Sequence, residues 1–143
     1  MPREIAQYHV GLKVILRRGE DYLFLHFNNP SGGSYYDWPG GRIDVGEEDV
    51  DLINILDREI REELGPDVQY KLGNPAFVSR RFFPNDNLKI FLVIFEAELL
   101  DGEIKLSNEH LHFEWLKPES VMRAEFVNET EYQAWIKYLS ERK

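Results

Sequence analysis

The sequence predicts an α/β fold in which helices pack on a mixed β-sheet. Short runs rich in apolar, β-branched and aromatic residues recur before, between and after two segments of helical period. Gly and Pro are scattered as turn punctuation rather than gathered into a linker, and no internal repeat or low-complexity tract divides the chain. Residues 1–143 therefore read as one domain.

Residues 10–16 and 22–27 have strand composition and are separated by the polar Arg17-Arg18-Gly19-Glu20-Asp21, which reads as a hairpin. Residues 28–33 read as a loop. Residues 76–83 and 88–99 form a second predicted strand pair, joined around Pro84-Asn85-Asp86-Asn87, and residues 112–116 a short strand. Between the two pairs, Ile53, Leu56, Ile60 and Leu64 recur at helical spacing and stop at Gly65-Pro66, a permissive residue followed by one without an amide donor. A second helix is predicted from near Asn128 to the C-terminus, with Tyr132, Trp135, Ile136 and Leu139 on one side.

Composition bounds the chemistry. With 43% hydrophobic content in 143 residues the chain can bury a sizeable core, and no apolar run approaches the roughly 18 residues needed to span a bilayer. Residues 1–4 lack a signal-peptide core, so the expected location is the cytoplasm, without membrane attachment. The absence of cysteine excludes disulfides and thiolate metal sites, which favours hard cations held by oxygen. A formal charge of −9 argues against long nucleic acid as a partner, because polyanion binding needs clustered Lys and Arg. The four histidines, His9, His26, His110 and His112, show no zinc-type spacing, and His26 reads as a packed strand residue.

At about 100° per residue, the four apolar positions of the first helix fall within roughly 80°, and Glu59, Glu62 and Glu63 lie in a separate sector. Carboxylates at i, i+3 and i+4 repel one another in water, and a bound cation would turn that repulsion into a site. Arg58 is placed to fix a carboxylate rotamer. An exposed acidic helix is the plain alternative. Ahead of the helix, Trp38-Pro39-Gly40-Gly41-Arg42-Ile43-Asp44-Val45-Gly46-Glu47 is glycine-rich, allowing main-chain groups to approach a ligand closely.

These residues resemble the signature of the Nudix hydrolase superfamily: Gly41, Glu47, then Arg58-Glu59-Ile60-Arg61-Glu62-Glu63-Leu64-Gly65. Eight fixed residues match. Ten residues rather than seven separate Glu47 from Arg58, and Pro66 stands where an aliphatic residue is usual. Counting back from Arg58 makes Asp51 the expected N-cap, so Glu48, Asp49 and Val50 either lengthen the preceding loop or add nearly one helical turn. The resemblance implies the Nudix fold, a mixed sheet sandwiched between helices in an α/β/α arrangement. It also implies hydrolysis of a phosphoanhydride bond in a nucleoside diphosphate linked to another group, by water attack assisted by Mg2+ or alternatively Mn2+. An inactive Nudix-like nucleotide-binding or sensor module is the second reading.

Carried over by position, the resemblance implies Glu59 and Glu63 as the main metal ligands, Glu62 as a ligand or orienting group and Arg58 as the residue that positions Glu59 or Glu62, with a carbonyl from Gly40 or Gly41 completing the shell. Glu109 is the expected further carboxylate, as ligand or general base, with Glu114 in reserve. Substrate contacts are expected from Arg42, Arg80, Phe82, Phe83 and Trp38. The Arg80-Arg81-Phe82-Phe83 run offers charge for phosphates and rings for a base, and strand alternation would aim only one of the two Phe rings at the site. Trp38 reads either as a base-stacking ring or as a prop for the turn. The expected partner is a small nucleotide, with the chain acting as a monomer or homodimer. Substrate-subfamily motifs are missing from the chain, so the leaving group stays open.

Overall fold

Alternation along β1 (His9–Arg18) sorts the core into two layers, because successive strand side chains point to opposite faces. Leu12, Val14 and Leu16 pack with Ile55, Leu56, Ile60 and Leu64 of α1 (Leu52–Leu64), while Ile15 packs with Trp135 and Tyr138 of α2 (Glu129–Glu141). In the computed structural model, which describes residues 2–28, 33–108, 110 and 112–142, the sheet is thus covered by one helix on each face. This is the α/β/α arrangement that the sequence predicts.

The sheet is mixed. β1 runs parallel to β6 (Leu88–Asp101), which pairs antiparallel with β5 (Gln69–Phe83). β2 (Asp21–Asn28) meets β1 only at the hairpin end, Arg17↔Tyr22 and Arg18↔Asp21. Beyond that point β4 (Gly40–Arg42) takes its place beside β1, pairing at Gly11, Leu12 and Lys13. β2 instead continues between β3 (Ser34–Asp37) and β7 (His112–Leu116). The sequence reading misses β3 and β4 because both are short and β4 is two-thirds glycine, so neither carries a strand pattern of its own.

The three residues before the helix lie in the loop. Asp51 caps α1, its side chain accepting from Ile53 N at 2.8 Å, and Glu47 and Val50 amides close successive turns ahead of it. The alternative of an added helical turn is excluded. Ile53 does not join the apolar stripe; it is exposed in the first turn, and Ile55 covers the sheet in its place. On α2, Ile136 is exposed and the buried face is Glu131, Trp135 and Tyr138. The last carbonyls of α1 are taken by the segment after β6: Leu64 O accepts from Lys105 N at 2.8 Å and Glu63 O from Ser107 N at 3.0 Å. That pairing carries the chain towards His110, next to the end of α1. No helix among the described residues is long and apolar enough to cross a membrane.

Candidate active site

The glycine turn brings β4 against α1. Gly40 adopts φ +142°, and a Cβ there would run into the backbone of Leu12; a Cβ on Gly41 would overlap the Glu59 carboxylate. Only glycine lets the strand and the carboxylate come this close. A cavity of about 650 Å³ opens at this junction, lined by Arg58, Glu59, Glu62 and Glu63 from α1 and by Gly40, Gly41 and Arg42 from β4.

Arg58 organises the carboxylates. Its Nη2 lies 2.8 Å from Glu47 Oε2, and its Nη1 lies 3.1 Å from Glu59 Oε1 and 3.2 Å from Glu62 Oε1. The lengthened loop therefore still delivers Glu47 to Arg58. Asp44 N donates to the other Glu47 oxygen at 2.8 Å, and this bond together with Arg58 holds the Glu47 carboxyl below its ordinary range. Glu59 is shifted the other way, chiefly by burial and in part by Glu62, with Arg58 opposing. Glu63 is 4% exposed rather than on an open polar face, and His110 Nδ1 lies 3.7 Å from its Oε2. The three carboxylates are thus divided between Arg58 and His110.

The cavity floor is a buried ionic network that the sequence reading does not foresee. Asp37 accepts from Lys13 Nζ at 3.3 Å and from Arg81 Nη1 at 3.0 Å, and His110 Nε2 lies 3.1 Å from it. Burial alone would raise the Asp37 carboxyl, but Lys13, Arg81 and His110 outweigh it and hold the group far below the carboxylate range. Arg81 also donates to both oxygens of buried Glu131 on α2, through Nε at 3.0 Å and Nη2 at 2.7 Å. Beside this floor stand Phe27, Tyr35 and Phe83. The Tyr35 and Phe83 rings stack at 6.2 Å, Arg81 lies over Tyr35 at 5.2 Å, and burial foremost pushes the Tyr35 hydroxyl up to about 12.

Of the expected site residues, Arg58, Glu59, Glu62, Glu63, Gly40, Arg42 and Phe83 line this one cavity. Trp38 does not. It is 1% exposed and packs against Phe24, Phe126 and Trp135, so it props the turn from inside the core and offers no face to a ligand. Arg80 and Phe82 are also misplaced by the sequence expectation. Alternation on β5 turns Ser79, Arg81 and Phe83 inward, leaving Arg80 exposed and Phe82 56% exposed beside Lys89. Glu114 lies off the cavity, bonded to His26, and Glu109 lies outside the described residues. Lys13 carried a usable signal, a lone charge amid the apolar run of β1, since a buried charge must find a partner. Nothing in the sequence links Arg81 to Glu131, fifty residues away.

The NUDIX domain family model matches residues 7–138, and the chain belongs to that family. Solved structures agree on the fold. A MutT protein from Methanosarcina mazei Go1 superposes with a TM-score of 0.77 at 22% identity, covering 95% of this chain and 96% of that one. A NUDIX hydrolase from Nitrosomonas europaea gives 0.75 at 14% identity, covering 96% and 92%. An Ap4A hydrolase from C. elegans gives 0.69 at 18% identity, covering 94% and 99%. No curated protein matches the sequence.

Proposed function

We propose that this chain is, over residues 1–143, a single-domain Nudix hydrolase that cleaves a phosphoanhydride bond in a nucleoside diphosphate linked to another group. The observation that carries the reading is the convergence of Arg58, Glu59, Glu62 and Glu63 on one cavity, with glycine alone separating β4 from the Glu59 carboxylate. The donor set is all oxygen, which suits Mg2+, or alternatively Mn2+, held by Glu59, Glu62, Glu63 and a Gly40 or Gly41 carbonyl. When bound, such a cation supplies charge neutralisation on the phosphates and activation of the attacking water.

The chain's own residues do the rest. Arg58, anchored by Glu47, holds Glu59 and Glu62 in place, and the glycine turn lets the β4 main chain lie against the Glu59 carboxylate. Arg42, on the cavity wall, would meet a phosphate, and Phe83, a ring already expected from the sequence, would offer its face to a base together with Tyr35, whereas Trp38 and Phe82 do not line the cavity. Water oxygen bonds to phosphorus, the bridging oxygen leaves with the departing phosphate, and the water's proton passes to Glu109 or a motif carboxylate. Retention of every motif carboxylate speaks against an inactive binding module.

The test is a screen over nucleoside triphosphates, ADP-ribose, sugar nucleotides and dinucleoside polyphosphates, with and without Mg2+, in which the nucleotide products are separated and measured by chromatography. Metal-dependent turnover by the wild type that is lost in Glu63→Gln, with an unchanged circular dichroism spectrum, supports the reading. Turnover that persists in the variant, or after thorough metal removal, overturns it.

A further inference from the structure

A second group of metal-binding side chains sits on the β2–β7 strand pair, and none of its members lines the carboxylate cavity. His26 and His112 are direct partners in the antiparallel register. Their rings stack with centroids 4.0 Å apart and 14° between planes. Glu114 follows two residues along β7, on the same face as His112, and its Oε2 lies 2.8 Å from His26 Nε2. One ligand atom from each of the three lies within 4.8 Å of the other two, the one such trio of His and acidic residues among the described residues.

The donor chemistry differs from that of the carboxylate helix. Two imidazoles and one carboxylate suit Zn2+, Cu2+ or Ni2+, whereas Mg2+ prefers oxygen alone. Because the stacked ring planes are parallel to within 14°, at least one imidazole would have to turn about its side-chain bonds for both in-plane nitrogen lone pairs to meet one cation, and the ligand atoms, within 4.8 Å of one another, would have to close on it. The backbone beneath is firm, since His26 pairs with Tyr36 of β3 on one side and with His112 on the other. The Tyr36 ring stands 5.3 Å from that of His26 at 68° and backs it. His112 and Glu114 are exposed, which leaves the outer side open for an incoming ion and for water to complete its shell.

We propose that His26, His112 and Glu114 bind one divalent transition-metal ion of the zinc type, separate from the carboxylate site, and that the ion clamps β7 onto β2. The clamp would act two residues from His110, whose ring stands between Asp37 and Glu63. An ion that binds the folded chain and not the unfolded one would stabilise the fold by an amount that grows with the logarithm of its concentration above the dissociation constant.

The metal-stripped full chain is dialysed against micromolar Zn2+ in excess Mg2+, which keeps the carboxylates occupied, and the retained zinc is measured. The expected result is a single equivalent retained by the wild type and by Glu63→Gln, with a rise in thermal midpoint on adding Zn2+. In His112→Ala, and independently in Glu114→Gln, the affinity falls by more than the roughly 10–100-fold that loss of an outer hydrogen-bonding partner costs. Co2+ gives a visible absorption band in the wild type that His112→Ala lacks. Because Glu114 contacts His26 at 2.8 Å and the His112 ring stacks on it, each variant's zinc-induced rise in midpoint is read against its own metal-free midpoint. Failure of the wild type to retain zinc, or equal retention by both strand variants, overturns the proposal. Loss of zinc in Glu63→Gln alone would assign the ion to the carboxylate cavity and overturn it equally.

Discussion

Asp37 balances the charges beneath the cavity, with Lys13, Arg81 and His110 all converging on its two oxygens. Replacing it by Asn leaves two buried cations undercompensated, and breaking buried pairs of this kind costs about 3–5 kcal/mol. The pH dependence has a definite sign. The carboxyl titrates below its ordinary 3.8 in the fold, so on acidification the unfolded chain takes up the proton first. Its stabilisation is complete above about pH 5 and declines as the pH falls further. Denaturant midpoints followed from neutral pH into the acid range should drop more steeply for the wild type than for Asp37→Asn. Parallel curves would place the acid sensitivity elsewhere.

The α1–β4 junction separates two glycines by what each one touches. Gly41→Ala presses on the far end of a side chain, so the variant should fold and its turnover should fall on the order of a hundredfold as Glu59 is displaced. Gly40→Ala meets backbone and a positive φ, which costs about 1–3 kcal/mol in strain alone, so the thermal midpoint should fall first. The reverse pattern would show that Gly41 is structural. Within α1, Asp51→Ala removes the cap and should cost about 1 kcal/mol, read by thermal unfolding. Ile60→Asp, by contrast, puts a charge into the layer between α1 and the sheet and should leave no cooperative transition.

Across the whole molecule, a continuous set of polar contacts runs from Glu63 on α1 through His110, Asp37 and Arg81 to Glu131 on α2. Four of its members, Glu63, His110, Asp37 and Arg81, line the cavity. If the proposed mechanism holds, chelation should abolish turnover and added Mg2+ restore it, while the apo chain keeps its cooperative unfolding, because none of Glu59, Glu62 and Glu63 belongs to either apolar layer. Loss of the unfolding transition on chelation would instead make the metal a structural requirement.

Local pattern determined the parts of this protein that depend on neighbours in sequence. The helical period of Leu56, Ile60 and Leu64, the cap at Asp51 and the spacing of Glu59, Glu62 and Glu63 are properties of a single turn or two, and a sequence displays them directly. The strand pairs β1–β2 and β5–β6 are equally local. Tertiary structure alone decided which side of β5 faces the cavity, the withdrawal of Trp38 into the core, and the meeting of Asp37 with Lys13, His110 and Arg81. It also brought His26 to His112, although neither shows metal spacing along the chain. Each of these is a contact across strands or layers, fixed by register and by the parallel β1–β6 pairing, and register is set by the packed core rather than by any one segment.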